Sequence, residues 1–130
     1  MATLTKHMFS EVEAVSGRRF RVTSTEASAA NVFHVAPATL ATMDECWVYA
    51  HNFGATDAVL TVMWGLSGDV PAAASASVAS VDTGVSITIP FQSGRALVFD
   101  GTLLMGGLSA AAYADTTDII SIDGFVNRIA

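Results

Sequence analysis

Apolar and polar residues alternate with a period of two along much of this chain, and that period predicts half-buried β-strands. The alternation is clearest over residues 85–91, VSITIPF, where Val85, Ile87, Ile89 and Phe91 share one face and Ser86, Thr88 and Pro90 the other. Pro90 has no N–H to give to a ladder, so it marks a strand end or a sheet edge. Over residues 44–52 the small apolar side chains Cys46, Val48 and Ala50 alternate with the larger, amphipathic Trp47, Tyr49 and His51. Residues 58–64, AVLTVMW, are apolar on both faces, which predicts a strand covered on both sides. The turn FGATD between these two runs predicts a hairpin, with Gly54 free to take a positive φ.

Further strands are expected at 18–23, 31–36, 96–100 and 119–129. In the last, Ile120, Ile122, Gly124 and Val126 form one face, and Ser121, Asp123 and Asn127 the other. Gly101 is expected to break the strand before it, and the Gly106–Gly107 pair to make a bulge or sharp bend. The segment LSAAAYA after that pair reads as strand, although its alanine run also suits a helix. The pattern therefore predicts an all-β domain of about eight strands, a β-sandwich or jelly-roll-like fold, with a short N-terminal helix over residues 9–15 as the one helical candidate. The expected organisation is an N-terminal segment, 1–17, dispensable for folding, and a sandwich domain, 18–130. An Ala/Ser-rich loop at 65–84 reads either as a plain surface connection or as an arm that lies on a neighbour.

Composition changes this picture in one respect. Only 14% of the residues are charged and 52% are hydrophobic, against about 25% charged in an ordinary soluble domain. Such a surface is either simply small and hydroxylated, or it meets other protein. The net charge is −6, so the broad basic face that nucleic-acid binding demands is missing. Half of the six basic residues sit together as Arg18, Arg19 and Arg21. On an acidic chain this cluster reads as an inter-subunit ion-pair site or as a solvated face. A single cysteine, Cys46, rules out an internal disulfide, and its apolar setting reads as a buried, inert thiol. The first residues carry no signal-peptide core and no run is long and apolar enough to span a membrane, so folding in a reducing cytoplasm is expected.

No pattern of catalytic residues emerges. His7, His34 and His51 lack partners at metal-ligand spacing, although His34 and His51 have the freedom to meet across neighbouring strands. Asp44 and Glu45 are strand neighbours and point to opposite faces, so they form no acid/base dyad. Asp100, Asp115, Asp118 and Asp123 are placed near turns. There is no phosphate-binding glycine loop and no nucleophile elbow. The expectation is a non-enzymatic protein with no cofactor. Trp47, Tyr49, Phe53 and Trp64 group around the expected hairpin, as interface anchors or, alternatively, as a sugar-stacking platform.

Two stretches, residues 31–65 and 87–130, carry a further signal in Trp64–Gly65, Ile89–Pro90, Gly94, Gly101, Gly106–Gly107, Gly124 and Arg128. In these the chain resembles small virion proteins of tailed bacteriophages. The resemblance implies a non-enzymatic β-sandwich that decorates or cements the capsid shell, bridging major capsid subunits and working as copies of itself in an assembly; the charge and hydropathy add the expectation of no nucleic-acid and no membrane partner. It equally accommodates a ring component of the neck or tail. A carbohydrate-binding module using Trp47, Tyr49 and Trp64 is the alternative from a different class. The expected interface residues are Arg18, Arg19, Arg21, Trp47, Tyr49, Trp64, Pro71 and Arg128, with the N-terminal segment and the 65–84 loop supplying bridging contacts.

Overall fold

The computed structural model describes residues 3–10, 19–39, 41–67, 84–105 and 107–130. Nine strands account for most of them: β1 (Leu4–His7), β2 (Phe20–Arg21), β3 (Asn31–Val35), β4 (Met43–Asn52), β5 (Ala58–Ser67), β6 (Gly84–Ile89), β7 (Arg95–Met105), β8 (Leu108–Ala114) and β9 (Ile120–Ile129). They form two antiparallel sheets. The first runs β1-β9-β4-β7, with β2 beside β1 on the same edge of β9; the second runs β3-β8-β5-β6. Every connection from β2 to β9 changes sheet except the one between β5 and β6. With β1 and β2 counted as one interrupted strand, this is the eight-stranded order of a jelly roll.

The core lies between the sheets. The inward side chains of β4, Cys46, Val48 and Ala50, are fully buried against Phe33, Leu60, Val62, Phe99, Ile120, Ile122 and Val126. Their alternation was thus a true guide to β4, and the β9 faces follow the expected pattern as well. Segment 108–114, whose alanine run also suited a helix, is strand β8, central in its sheet. Ala110, Ala111, Ala112 and Ala114 are all fully buried. Alanine suits a strand covered on both faces: on the outer side Ala111 meets Met63 and Ala30 in a second, small cluster, above which lies a 3-10 turn at Ala27–Ala29.

Several expectations are corrected. The predicted hairpin between residues 44–52 and 58–64 does not exist, because β4 and β5 lie in different sheets. The FGATD turn carries the chain across the sandwich. Asn52, fully buried, holds it by donating its side-chain N–H groups to Thr56 O at 2.8 Å and Ile89 O at 2.9 Å while its Oδ1 accepts from the Gly54 N–H at 2.9 Å. Gly54 does not use a positive φ; it is required for room, since a Cβ there would come within 2.8 Å of the Ile119 side chain.

Gly101 does not break β7. Cys46 faces Thr102 and Trp47 faces Asp100, so Gly101 is the extra residue of a bulge, and its φ of 101° is one that glycine alone adopts readily. The strand expected over 18–23 is only two residues long. Asp100 and Asp123 lie in strands and not in turns.

The N-terminal segment is part of the fold. β1 pairs with β9, and Phe9 is buried against the rings of Phe33 and His34, at centroid distances of 5.0 and 5.9 Å. Truncation there would remove a strand and a core side chain. Phe9 and Ser10 are not helical, and the rest of the helix expected over 9–15 lies outside the described residues. So does most of the 65–84 loop: β5 extends through residue 67 and β6 begins at residue 84.

Gly124 permits β9 to pass close to β4, because a Cβ there would overlap the Trp47 carbonyl oxygen and touch the Phe9 ring. Replacing Gly124 by alanine forces the two central strands apart. Gly124→Ala is expected to lower stability by about 3 kcal/mol, measured as a reduced urea midpoint at unchanged m-value.

Candidate functional site: a buried polar bridge and an open sheet face

The first candidate is inside the sandwich. His34 on β3 and Asp44 on β4 belong to opposite sheets, and both are fully buried. His34 Nε2 donates to Asp44 Oδ2 at 2.6 Å. Arg128 on β9 closes the group with a fork of two bonds, Nε to Oδ1 at 2.8 Å and Nη2 to Oδ2 at 3.0 Å. The remaining ring nitrogen, His34 Nδ1, accepts the backbone N–H of Ser10 at 3.2 Å. An acceptor at Nδ1 fixes the tautomer, with the ring proton on Nε2.

Serine, histidine and aspartate here do not make a nucleophilic array. The Ser10 hydroxyl is engaged with the backbone of Val35, accepting its N–H at 2.8 Å and donating to its carbonyl at 3.4 Å. It makes no hydrogen bond to His34. Both ring nitrogens of His34 are occupied, and no substrate reaches a side chain that is fully buried. A base needs access to the proton it moves, so the group is a structural bridge. His34 and His51 do not meet: His51 lies on the outer face of the other sheet, bonded to the Gly94 carbonyl at 3.1 Å. Among the described residues no cluster of histidine, cysteine and acidic side chains is arranged to hold a metal ion.

Burial pushes the Asp44 carboxyl up, but the hydrogen bonds from His34 and Arg128 outweigh it and hold the group at about 2. The bond to Asp44 likewise pushes Arg128 up. Arg128 was expected at an interface; the structure places it in this intramolecular pair. Cys46, next to the bridge, has its thiol pushed far up by burial and then by the charges of Asp44 and Glu45.

The second candidate is the outer face of the first sheet. The odd-numbered residues of β4 line it, and their cross-strand partners fix its rows. Met43 lies between Ile129 and Met105, Glu45 between Asn127 and Leu103, Trp47 between Phe125 and Asp100, Tyr49 between Asp123 and Leu97, and His51 between Ser121 and Arg95. Trp47 stacks on Phe125 with ring planes 10° apart, and its Nε1 donates to Glu45 Oε1 at 2.8 Å. Lys6 sits 4.0 Å above the Phe125 ring. The Arg95 guanidinium lies 3.6 Å over Tyr49 and grips Asp123 with its closest contact at 2.7 Å. Leu4, Phe53, Leu97, Leu103 and Met105 are exposed.

No protein-family model, curated protein or solved structure matches the chain.

Of the expected interface residues, Trp47, Tyr49, Arg19 and Arg21 do gather on or beside this face. Trp64 does not. It lies on β5 in the other sheet, packs edge-on against Phe99 at 4.8 Å and donates its Nε1 to the Leu103 carbonyl at 2.9 Å. The three-aromatic platform of Trp47, Tyr49 and Trp64 is therefore not assembled. Arg18 and Pro71 lie outside the described residues. Sequence reasoning missed Phe125, Lys6, Arg95, Leu97 and Leu103 as members of the face, because strand register brings them there. It also missed the role of His34, whose signal was a histidine in an otherwise apolar strand run.

Two outcomes follow from the bridge. The depressed carboxyl of Asp44 makes a stabilising contribution that is complete above its unfolded value of about 3.9 and is lost as pH falls through about 2. Asp44→Asn leaves Arg128 without its counter-charge and is expected to cost about 3 kcal/mol. Its stability should also fall less steeply than the parent's between pH 5 and 2, read by urea titrations across that range. For Cys46, a thiol reagent should leave the folded protein unlabelled and react fully once urea unfolds it. Labelling at native rates typical of an exposed thiol would contradict the burial.

Proposed function

We propose that the chain is a non-enzymatic structural protein of a tailed-bacteriophage virion, coating the outside of the capsid shell as a decoration or cement protein and bridging major capsid subunits. The observation that carries the reading is the outer face of the first sheet, where exposed Leu4, Leu97, Leu103 and Met105 surround the Trp47–Phe125 stack. Exposed apolar side chains gathered on one sheet face among polar groups are a feature of protein interfaces. The resemblance of residues 31–65 and 87–130 to small virion proteins supplies the setting. Jelly rolls occur in viral capsids and in lectins alike, so the fold alone does not choose between them. The sugar-binding reading loses its platform with the inward placement of Trp64.

A shell-coating protein works by repetition. Modest contacts to several neighbours add up through effective concentration, so each need not be strong. Several charges on the face are already engaged, Arg95 with Asp123 and Tyr49 and Lys6 with the Phe125 ring, which lowers the desolvation cost that opposes docking.

Copy number tests the assignment. Quantitative gel analysis of purified virions, referenced to the major capsid protein, is expected to show this chain in hundreds of copies per particle, scaling with shell subunits. A count of about six or twelve would move it to a ring on the neck or tail axis, and absence from purified particles would overturn the virion reading altogether.

A further inference from the structure

At one end of the same sheet the outer face opens into a groove of about 540 Å3, within the range of roughly 300–1,000 Å3 typical of sites that seat small ligands or side chains. Arg19, Arg21, Phe53, Asn31, Asp118 and Ser121 line it. Its electrostatics are unusual for a chain of net charge −6. Arg21 has no carboxylate within ion-pair distance among the described residues; its guanidinium lies 5.5 Å over the exposed Phe53 ring. Among the described residues the one carboxylate that Arg19 reaches is Asp123, at 4.0 Å, which is already held by Arg95 at 2.7 Å. One carboxylate thus serves two guanidiniums, and the third guanidinium has none.

The walls of the groove are set. Asn31 Oδ1 accepts the N–H groups of Thr23 at 2.9 Å and Ser24 at 3.3 Å, so the turn after β2 is clamped to the start of β3. Phe53 N–H donates to the Ile119 carbonyl at 3.0 Å, which anchors the backbone carrying the aromatic wall. Fixed walls reduce the ordering cost of binding.

We infer that this groove binds an acidic segment of a partner polypeptide, with one carboxylate side chain between Arg19 and Arg21 and an apolar neighbour against Phe53. Two guanidiniums offer forked donors that match a carboxylate. Phe53 adds an apolar surface next to them. Asp118 on the rim and the acidic net charge oppose a polyanion, so an isolated carboxylate is favoured over a nucleic-acid backbone. The inference goes beyond the shell assignment and does not depend on it, since an acidic segment from any partner chain meets the same chemistry.

The test uses the full purified chain and a short blocked peptide with a single glutamate next to a leucine, followed by amide chemical shifts in NMR. Saturable shifts centred on Arg19, Arg21 and Phe53 are expected, with affinity falling as salt is raised. The matching glutamine peptide should bind at least about tenfold more weakly, and Arg21→Gln should weaken the glutamate peptide by about tenfold. Arg21 is exposed, so its replacement leaves the fold intact, which the unperturbed remainder of the spectrum will verify. Shifts elsewhere, equal binding of the glutamine peptide, or unchanged binding by Arg21→Gln would each overturn the proposal. So would equal or tighter binding of a short oligonucleotide at the same residues, which would make the groove a general anion site. Copy number in virions bears on the shell assignment alone, so the two readings fail separately.

Discussion

The bridge of His34, Asp44 and Arg128 is the interaction on which the sandwich depends. Most of the interface between the sheets is apolar and non-directional, and such contacts tolerate sliding. A buried carboxylate tolerates none. Asp44 loses its hydration entirely and recovers it through three hydrogen bonds, one from the opposite sheet and two from the adjacent strand. A shift of either sheet by one residue would leave an uncompensated charge in the core, costing about 3–5 kcal/mol. The bridge also secures the chain's beginning: Ser10 gives its N–H to His34 while its hydroxyl oxygen accepts the Val35 N–H, which seats Phe9 beneath β9. Register between sheets, register within the first sheet and the path of the N-terminal segment all meet at this one bridge.

That dependence explains what was legible in the sequence. Strands whose two faces differ announce themselves, and β4 and β9 were read correctly from Val48 and Ala50 or Ile120 and Ile122 against their polar neighbours. β8 was legible only as the absence of a helix signal around the glycine pair, because a strand buried on both faces shows no alternation. The false hairpin has a simple cause. A short glycine-containing turn between two apolar runs describes a chain reversal within a sheet and a crossing between sheets equally well. What distinguishes them is Asn52, whose side chain replaces the backbone bonds a hairpin would have made. Gly101 misled for a related reason: glycine marks a strand end and a bulge alike, and only the pairing of β7 with β4 tells them apart.

The candidate face was partly legible. Trp47 and Tyr49 stand out in any reading of β4 because they oppose small inward residues. Their neighbours arrive from β1, β7 and β9, sites distant in sequence, and nothing short of the register predicts that Lys6 will sit over Phe125 or Arg95 over Tyr49. Arg128 enters the sequence reading only through the virion-protein resemblance, as an interface residue. Its partner is a buried aspartate 84 positions earlier, a pairing that local pattern does not reveal.

The two sheets differ in how they treat their outer faces, and the difference bears on assembly. The second sheet covers part of its own outer side, folding the 3-10 turn at Ala27–Ala29 over Met63 and Ala111. The first sheet has no such cover among the described residues, yet it supplies every described cation: Lys6 on β1, Arg19 and Arg21 at β2, Arg95 on β7 and Arg128 on β9. Acidic residues elsewhere, such as Asp57 and Asp115, are engaged with backbone N–H groups at the loops. Lys6, Arg19, Arg21 and Arg95 share the outer face of this sheet with exposed apolar side chains and with Glu45, Asp100 and Asp123, while Arg128 is paired with the buried Asp44. A fixed pattern of charges on such a face orients a surface of complementary pattern before contact, and the apolar side chains then add stability that salt does not screen. An aqueous surface gains nothing from this combination, since exposed leucines there only invite aggregation. The combination becomes favourable when the face is covered, and it is the physical ground for reading this sheet as the side that meets another protein.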